Sequence, residues 1–185
     1  MGLGPKAQNA NMFTAGAGFK FKGRAPAGPS GVRVEHRIGI QAPVETVWDI
    51  LYDIERWHEW NPLYTQAEGK IRIGGQLNLT LALEGETPRV IQPVVFEWVP
   101  NDQIHWRLKM LGGLVLNTRF LELEKLDTGS TIVSNGELIG GLLGPTIARR
   151  LGRKIYRGFQ GMNEALKARA EAEWRAQGGA PTSAT

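Results

Sequence analysis

GPTIARRLGRKIYRGFQGMNEALKARAEAEW, Gly144 to Trp174, decides the architecture of this chain. Ile147, Leu151, Ile155, Phe159, Met162, Leu166 and Ala170 step by three or four residues toward Trp174. That spacing predicts a helix with an apolar stripe about seven turns long. A helix of that length must lay its apolar face on a partner surface. The preceding sequence offers no second long helix, so the partner is a sheet.

The sheet is legible in the alternation upstream. Val32, Val34, His36, Ile38 and Ile40 share one phase, with Arg33, Glu35, Arg37 and Gly39 on the other, which predicts a half-buried strand. Ala42-Pro43 ends it, and Val44, Val47, Trp48 and Leu51 then recur at helical spacing. A second short helix is expected over Ile54 to Trp57, closed by Asn61-Pro62. Beyond it Leu77, Leu79, Leu81 and Leu83 alternate with Asn78, Thr80 and Ala82, and a further strand ends near Pro100-Asn101. Ile104, Trp106, Leu108 and Met110 alternate with His105, Arg107 and Lys109, a phase that puts His105 on the surface. Gly112-Gly113 signals a two-residue hairpin loop, and Asp127-Thr128-Gly129 a three-residue one. Strands joined by such turns pair antiparallel.

The totals narrow the class. With 185 residues, 42% hydrophobic and 22% charged, the chain can bury a core and reads as globular. No apolar run approaches the roughly 20 residues of a membrane-spanning helix. There is no cysteine, which removes disulfides, thiolate metal sites and cysteine nucleophiles and suits a reducing, cytoplasmic setting. Three scattered histidines give no metal-ligand spacing, so neither metal nor cofactor is expected. The net charge of +4 matches the four cations of the first stretch: Lys6, Lys20, Lys22 and Arg24 fall in residues 1–31, which hold no acidic residue. The remainder is neutral and argues against nucleic acid as a partner. Residues 1–31, rich in Gly, Ala and Pro, are expected to be a flexible extension, 32–176 the domain, and 177–185 a tail. Arg149, Arg150, Arg153, Lys154 and Arg157 crowd the polar side of the long helix. They form either a solvated face or an attraction for an anionic head group or membrane surface.

Several stretches together resemble the START/Bet v1-like (SRPBCC) superfamily, in its bacterial polyketide cyclase/dehydrase-type branch. They are I-x-A-P-x-E-x-V-W at Ile40 to Trp48, W-x-x-W-N-P at Trp57 to Pro62, and an approximate G-x-x-I/L-x-W at Asp102 to Trp106. TIVSNGELIGGLL, Thr131 to Leu143, and RGFQGMNEALKAR, Arg157 to Arg169, add to them. The resemblance implies an α+β helix-grip fold. In it a curved antiparallel sheet of about six or seven strands wraps the long C-terminal helix, with two short helices after the first strand. It also implies that ERWHEWNP, Glu55 to Pro62, is a brace at the open end of the sheet rather than an active site. His58 has no local group to orient it and no nucleophile beside it.

A sheet wrapped round a helix leaves a cavity, so inward polar residues are the informative ones. The expected hairpins oppose Met110 to Val115, Leu108 to Asn117 and Trp106 to Arg119. The next one opposes Leu126 to Ser130, Leu123 to Val133, Leu121 to Asn135 and Arg119 to Glu137. Both bring the same phase inward. The expected cavity wall is Trp106, Leu108 and Leu121 from the strands and Ile155, Gly158, Phe159 and Met162 from the helix. The polar residues facing it are His36, Asn117, Arg119, Asn135 and Glu137. Gly152, Gly158 and Gly161 are expected to leave room for a ligand. Register in the strand before Pro100 leaves open whether Glu97, or Phe96 with Trp98, points inward. The residues support carriage of a small hydrophobic or amphipathic molecule of lipid, polyketide or isoprenoid class. The alternative is a cyclase/dehydratase-type enzyme using Glu137, His36 and Arg119 as candidate catalytic groups; the third is a protein-interaction module. A buried Arg119–Glu137 pair that only fixes register is the structural counterpart of the first two.

Overall fold

The computed structural model describes residues 31–127 and 129–179. The expected extension, apart from Gly31, and residues 180–185 of the expected tail lie outside the described residues. The chain runs β1 (Val32–Ile40), α1 (Val44–Tyr52), a 3-10 helix (Ile54–Glu59), β2 (Tyr64–Gly69), β3 (Leu77–Leu81) and β4 (Arg89–Ile91). It continues through β5 (Val94–Val99), β6 (Gln103–Met110), β7 (Val115–Asp127), β8 (Ser130–Gly140) and α2 (Gly144–Ala176). Every ladder is antiparallel. The strands fall in two groups, ordered β1-β8-β7-β6-β5 and β2-β3-β4. The Gln76–Val94 bridge and the bond from Leu77 N to Pro93 O (2.9 Å) join them. This is the helix-grip arrangement, with eight strands among the described residues against the expected six or seven. The difference lies in segments such as β4, whose three residues are too few to show a period.

α2 buries Ile155, Phe159, Met162, Asn163, Leu166 and Ala170 against the sheet, but Ile147 and Leu151 only half. The helix therefore packs fully along its C-terminal part and leaves space beside its first turns. Its glycines do not furnish that space. A side chain at Gly158 would strike Leu63 Cδ1 at 2.7 Å, and one at Gly161 would meet Pro62 at 3.5 Å. They let the segment after the brace lie close to the helix. Gly152 is near Val34 of β1 instead.

ERWHEWNP behaves as a brace in this geometry. Trp57 is fully buried, donates Nε1–H to Leu51 O (3.1 Å) and stacks on Tyr64. Asn61 Oδ1 accepts the backbone N–H groups of Leu63 and Tyr64, both at 3.0 Å, which turns the chain into β2. His58 is exposed, and its Nδ1 lies 2.7 Å from Glu55 O. Arg56 and Arg169 converge on Glu59 at 2.7 and 2.8 Å and tie this corner to α2. They hold the Glu59 carboxyl at about 2, well below its usual range.

Two hairpin loops differ from the expectation while their ladders keep it. Met110 does oppose Val115, but Leu111 and Leu114 are unpaired, giving a four-residue loop in which Leu111, Gly112 and Gly113 have positive φ. In the next hairpin Asp127, not Leu126, opposes Ser130. A bulge at Leu126 pushes that side chain into solvent and leaves every pair from Lys125 onward in the expected register. A second bulge, at Phe96, puts Phe96 and Glu97 both beside His105 on the convex face and turns Trp98 to the opposite face, beside Trp48.

His105 corrects the sequence reading. It lies on the convex side as its phase requires, yet it is buried, at 0% exposure. Glu97 and Glu122 stand 3.3 Å from its two ring nitrogens, and Phe96 and Phe120 flank it. The guanidinium groups of Arg33 and Arg107 cover those two rings at 4.4 and 4.0 Å. Gly136 makes room, because a Cβ there would fall 2.3 Å from Phe120 Cζ. A patch of long side chains thus roofs an outward-facing residue, which two-residue alternation cannot register.

Candidate functional site

Between the first half of α2 and the concave sheet lies a cavity of about 50 Å³. It is walled mainly by apolar side chains, among them Leu63, Leu81, Ile91, Leu108, Ile139, Ile155 and Phe159. Past Leu108, Met110, Ile147 and Leu151 it opens into a cleft of about 770 Å³ between β4, the β6–β7 loop and α2. The inner chamber holds on the order of a few waters. The cleft is of ligand size, within the roughly 300–1,000 Å³ of small-molecule sites.

Polar groups gather on the β7–β8 wall. Arg119 is 3% exposed and its guanidinium is fixed from three directions. Nε donates to Tyr64 Oη (3.2 Å), and Nη1 donates to Phe120 O (2.9 Å) and Gly136 O (2.8 Å). Among the described residues Nη2 meets only Met162 Sδ, at 4.0 Å, and the group lies 4.0 Å from the Phe159 ring centroid. Tyr64 Oη accepts from Arg119, so its own proton is left to donate. Burial pushes the Tyr64 hydroxyl pKa up, against the pull of Arg119.

Glu137 lies opposite Arg119 in the ladder, but among the described residues the two form no ion pair. The expected buried pair is therefore corrected to two separate anchorages. Glu137 Oε2 accepts from Asn117 Nδ2 at 2.7 Å. Glu137 Oε1 is buried and has no protein partner. Burial raises the Glu137 pKa, while the Asn117 hydrogen bond and the charges of Arg119 and Arg89 oppose the rise. With Oε2 engaged by an N–H, a proton on this carboxyl belongs on Oε1.

Of the expected wall, Trp106, Leu108, Asn117, Arg119, Glu137, Ile155 and Phe159 line the cavity. His36, Leu121, Asn135, Gly158 and Met162 do not. His36 is drawn away by Asn163, whose Nδ2 donates to His36 Nδ1 (2.9 Å) and His36 O (3.1 Å). Asn163 Oδ1 in turn accepts from Asn135 Nδ2 at 2.7 Å. That chain pins β1 and β8 to α2, so His36 and Asn135 belong to the packing between them. Leu121 is core, Gly158 is filled by Leu63, and Met162 packs beneath Arg119. Sequence reasoning missed Tyr64 and Arg89, both in the cavity wall. Tyr64 precedes a register shift in β2, and Arg89 begins the three-residue β4, so neither carries a periodic signal. Among the described residues no group of acidic or histidine side chains could hold a metal ion.

Residues 31–171 match the family model described as polyketide cyclase / dehydrase and lipid transport. No curated protein sequence matches the chain. Among solved structures, the Zhui aromatase/cyclase of a Streptomyces species superposes with a TM-score of 0.66 at 22% identity, covering 80% of this chain and 99% of that one. A START superfamily protein from Mycobacterium smegmatis gives 0.60 at 22%, covering 76% and 98%. A norcoclaurine synthase from Thalictrum flavum gives 0.60 at 14%, covering 78% and 98%. At these identities the likeness is one of fold.

Proposed function

Because the chain belongs to the polyketide cyclase/dehydrase and lipid transport family, we propose that it binds one small amphipathic molecule between α2 and the sheet. The ligand is of lipid, polyketide or isoprenoid class, with its apolar body in the cleft and a carbonyl, carboxyl or hydroxyl group at the inner end. The observation that carries this reading is the polar wall of an otherwise apolar cavity. Glu137, whose Oε1 has no partner, shares that wall with Tyr64 and the buried Arg119. A buried polar atom without a partner costs about 1–3 kcal/mol, and a ligand oxygen recovers that cost.

The test is uptake of the fluorescent amphiphile anilinonaphthalene sulfonate, displaced by fatty acids and by phenolic polyketide-like compounds. Native mass spectrometry with organic extraction of the purified protein identifies what it carries. Saturable uptake, weakened by Arg119→Met or by Glu137→Leu in folded protein, supports the reading. Uptake insensitive to both places the ligand elsewhere.

Glu137 also favours a second reading, acid–base catalysis of a cyclisation or dehydration. A carboxyl with a raised pKa in the cavity wall is suited to protonate a ligand oxygen, while Arg119 and Tyr64 stabilise developing negative charge. His36 has no part in it. Glu137→Gln keeps the shape and the hydrogen bonding but cannot transfer a proton. Binding kept with turnover lost marks an enzyme; both kept marks a carrier.

A further inference from the structure

The mouth of the cleft carries large apolar side chains that stand in water and add nothing to the core. Val90, Leu111 and Leu142 are 66%, 61% and 78% exposed, and Leu114 is 44% exposed. Val90 and Leu111 line the cleft. Leu142 stands on the loop before α2, which the bond from Leu143 N to Leu114 O (3.0 Å) fastens to the β6–β7 tip. Leu111 is also one of two non-glycine residues with positive φ among those described, at 52°. A leucine strained into the left-handed region and left in water does nothing for stability.

Cations stand around these tips without a direct ion-pair partner. Arg89 and Lys109 line the cleft, and Arg150 is exposed on α2 three residues after Ile147. None of the three makes an ion pair within 4 Å among the described residues. Lys154 and Arg157 differ, bonding to Glu86 and Glu84. Glu86 is held below its usual range first by Lys154 and then also by Arg150 and Arg89, so these cations share one side of the mouth.

We propose that this rim docks on an anionic lipid bilayer, its leucine and valine tips entering the headgroup layer and its free arginines and lysine meeting lipid phosphates. The surface matches that occupant on two counts. Apolar tips on separate loops, with a wide cleft between them, offer no flat area to a protein but seat readily among mobile headgroups. Their surround is cationic, complementary to an anionic leaflet, and would repel the same face of a second copy. Docked this way, the cleft opens toward the lipid. The docking stands independently of what the cavity holds.

The test is co-sedimentation of the full chain with phosphatidylcholine vesicles, with and without about one quarter phosphatidylglycerol. Binding is expected only to the anionic vesicles and weakens with added salt. Leu111→Ser with Leu142→Ser keeps every charge and should weaken binding by about tenfold or more. Lys109→Glu with Arg150→Glu should do the same. Unaltered circular dichroism and thermal midpoint establish that the variants fold. Failure of the parent chain to sediment with anionic vesicles overturns the proposal. So does binding unchanged in the leucine variant, which would assign attraction to other cations such as Lys6, Lys20, Lys22 and Arg24. A dimer that dissociates in the leucine variant, without vesicle binding, would give the surface to a second copy.

Discussion

Glu137 and Arg119 are neighbours that solve burial separately. Arg119 spends its hydrogen bonds on two main-chain carbonyls and Tyr64. Glu137 shares one oxygen with Asn117 and meets burial by taking up a proton more readily. A carboxyl whose folded pKa is raised binds more protons in the folded than in the unfolded state. Its stabilising contribution is complete below the unfolded value of 4.5 and is lost as pH climbs through the higher folded value. Glu137→Gln has no such titration. The urea midpoint of the parent chain should therefore fall relative to that of the variant as pH rises above 4.5. A gap of the opposite sign would mean the carboxylate is the form the fold prefers. Arg119→Met should cost about 1–3 kcal/mol for each carbonyl it orphans, measured by the same titrations.

Elements show where local polarity misleads. The brace after α1 is rich in charge, but its function in folding rests on Trp57 and Asn61. Trp57→Ala should destabilise by about 3–5 kcal/mol, while His58→Ala should stay within about 0.5 kcal/mol and leave dye uptake unchanged. Loss of uptake in a stable His58→Ala would make the brace part of the site. On the convex face, Gly136 is the element-level counterpart. Gly136→Ala would press a methyl group against Phe120 and Val34 O and should cost about 1–3 kcal/mol, read as a lower thermal midpoint. Phe120→Leu in that background should recover only part of it, since Val34 O is backbone.

For the whole molecule, the decisive relation is between a long helix and a sheet it does not fill. α2 is fully packed from Ile155 onward, and its first turns border a cleft that narrows to the inner chamber. The chamber's small volume means that a ligand larger than a few atoms lies mainly in the cleft or parts Leu151 from the strands. Leu151→Trp should therefore reduce dye uptake by about tenfold or more, with a stability cost of about 1–3 kcal/mol. Full uptake in that variant would show a route other than this mouth.

Sequence by itself determined the helix over Gly144 to Ala176, the β6–β7–β8 ladder with Arg119 opposite Glu137, and the brace. The helix and the ladder rest on period and turn chemistry, which act between near neighbours, and the brace on the family resemblance of its motif. Tertiary structure decided the rest. A bulge at Leu126 or Phe96 adds one residue without changing composition, so its effect on facing appears only when partners pair. His36 carries the inward phase yet is claimed by Asn163, 127 residues away. His105 carries the outward phase yet is roofed by side chains from β1, β5 and β7. Facing in a strand is local, whereas burial and partnership depend on what the chain folds over the strand; alternation therefore located Glu137, and only the packed molecule left its Oε1 unpaired.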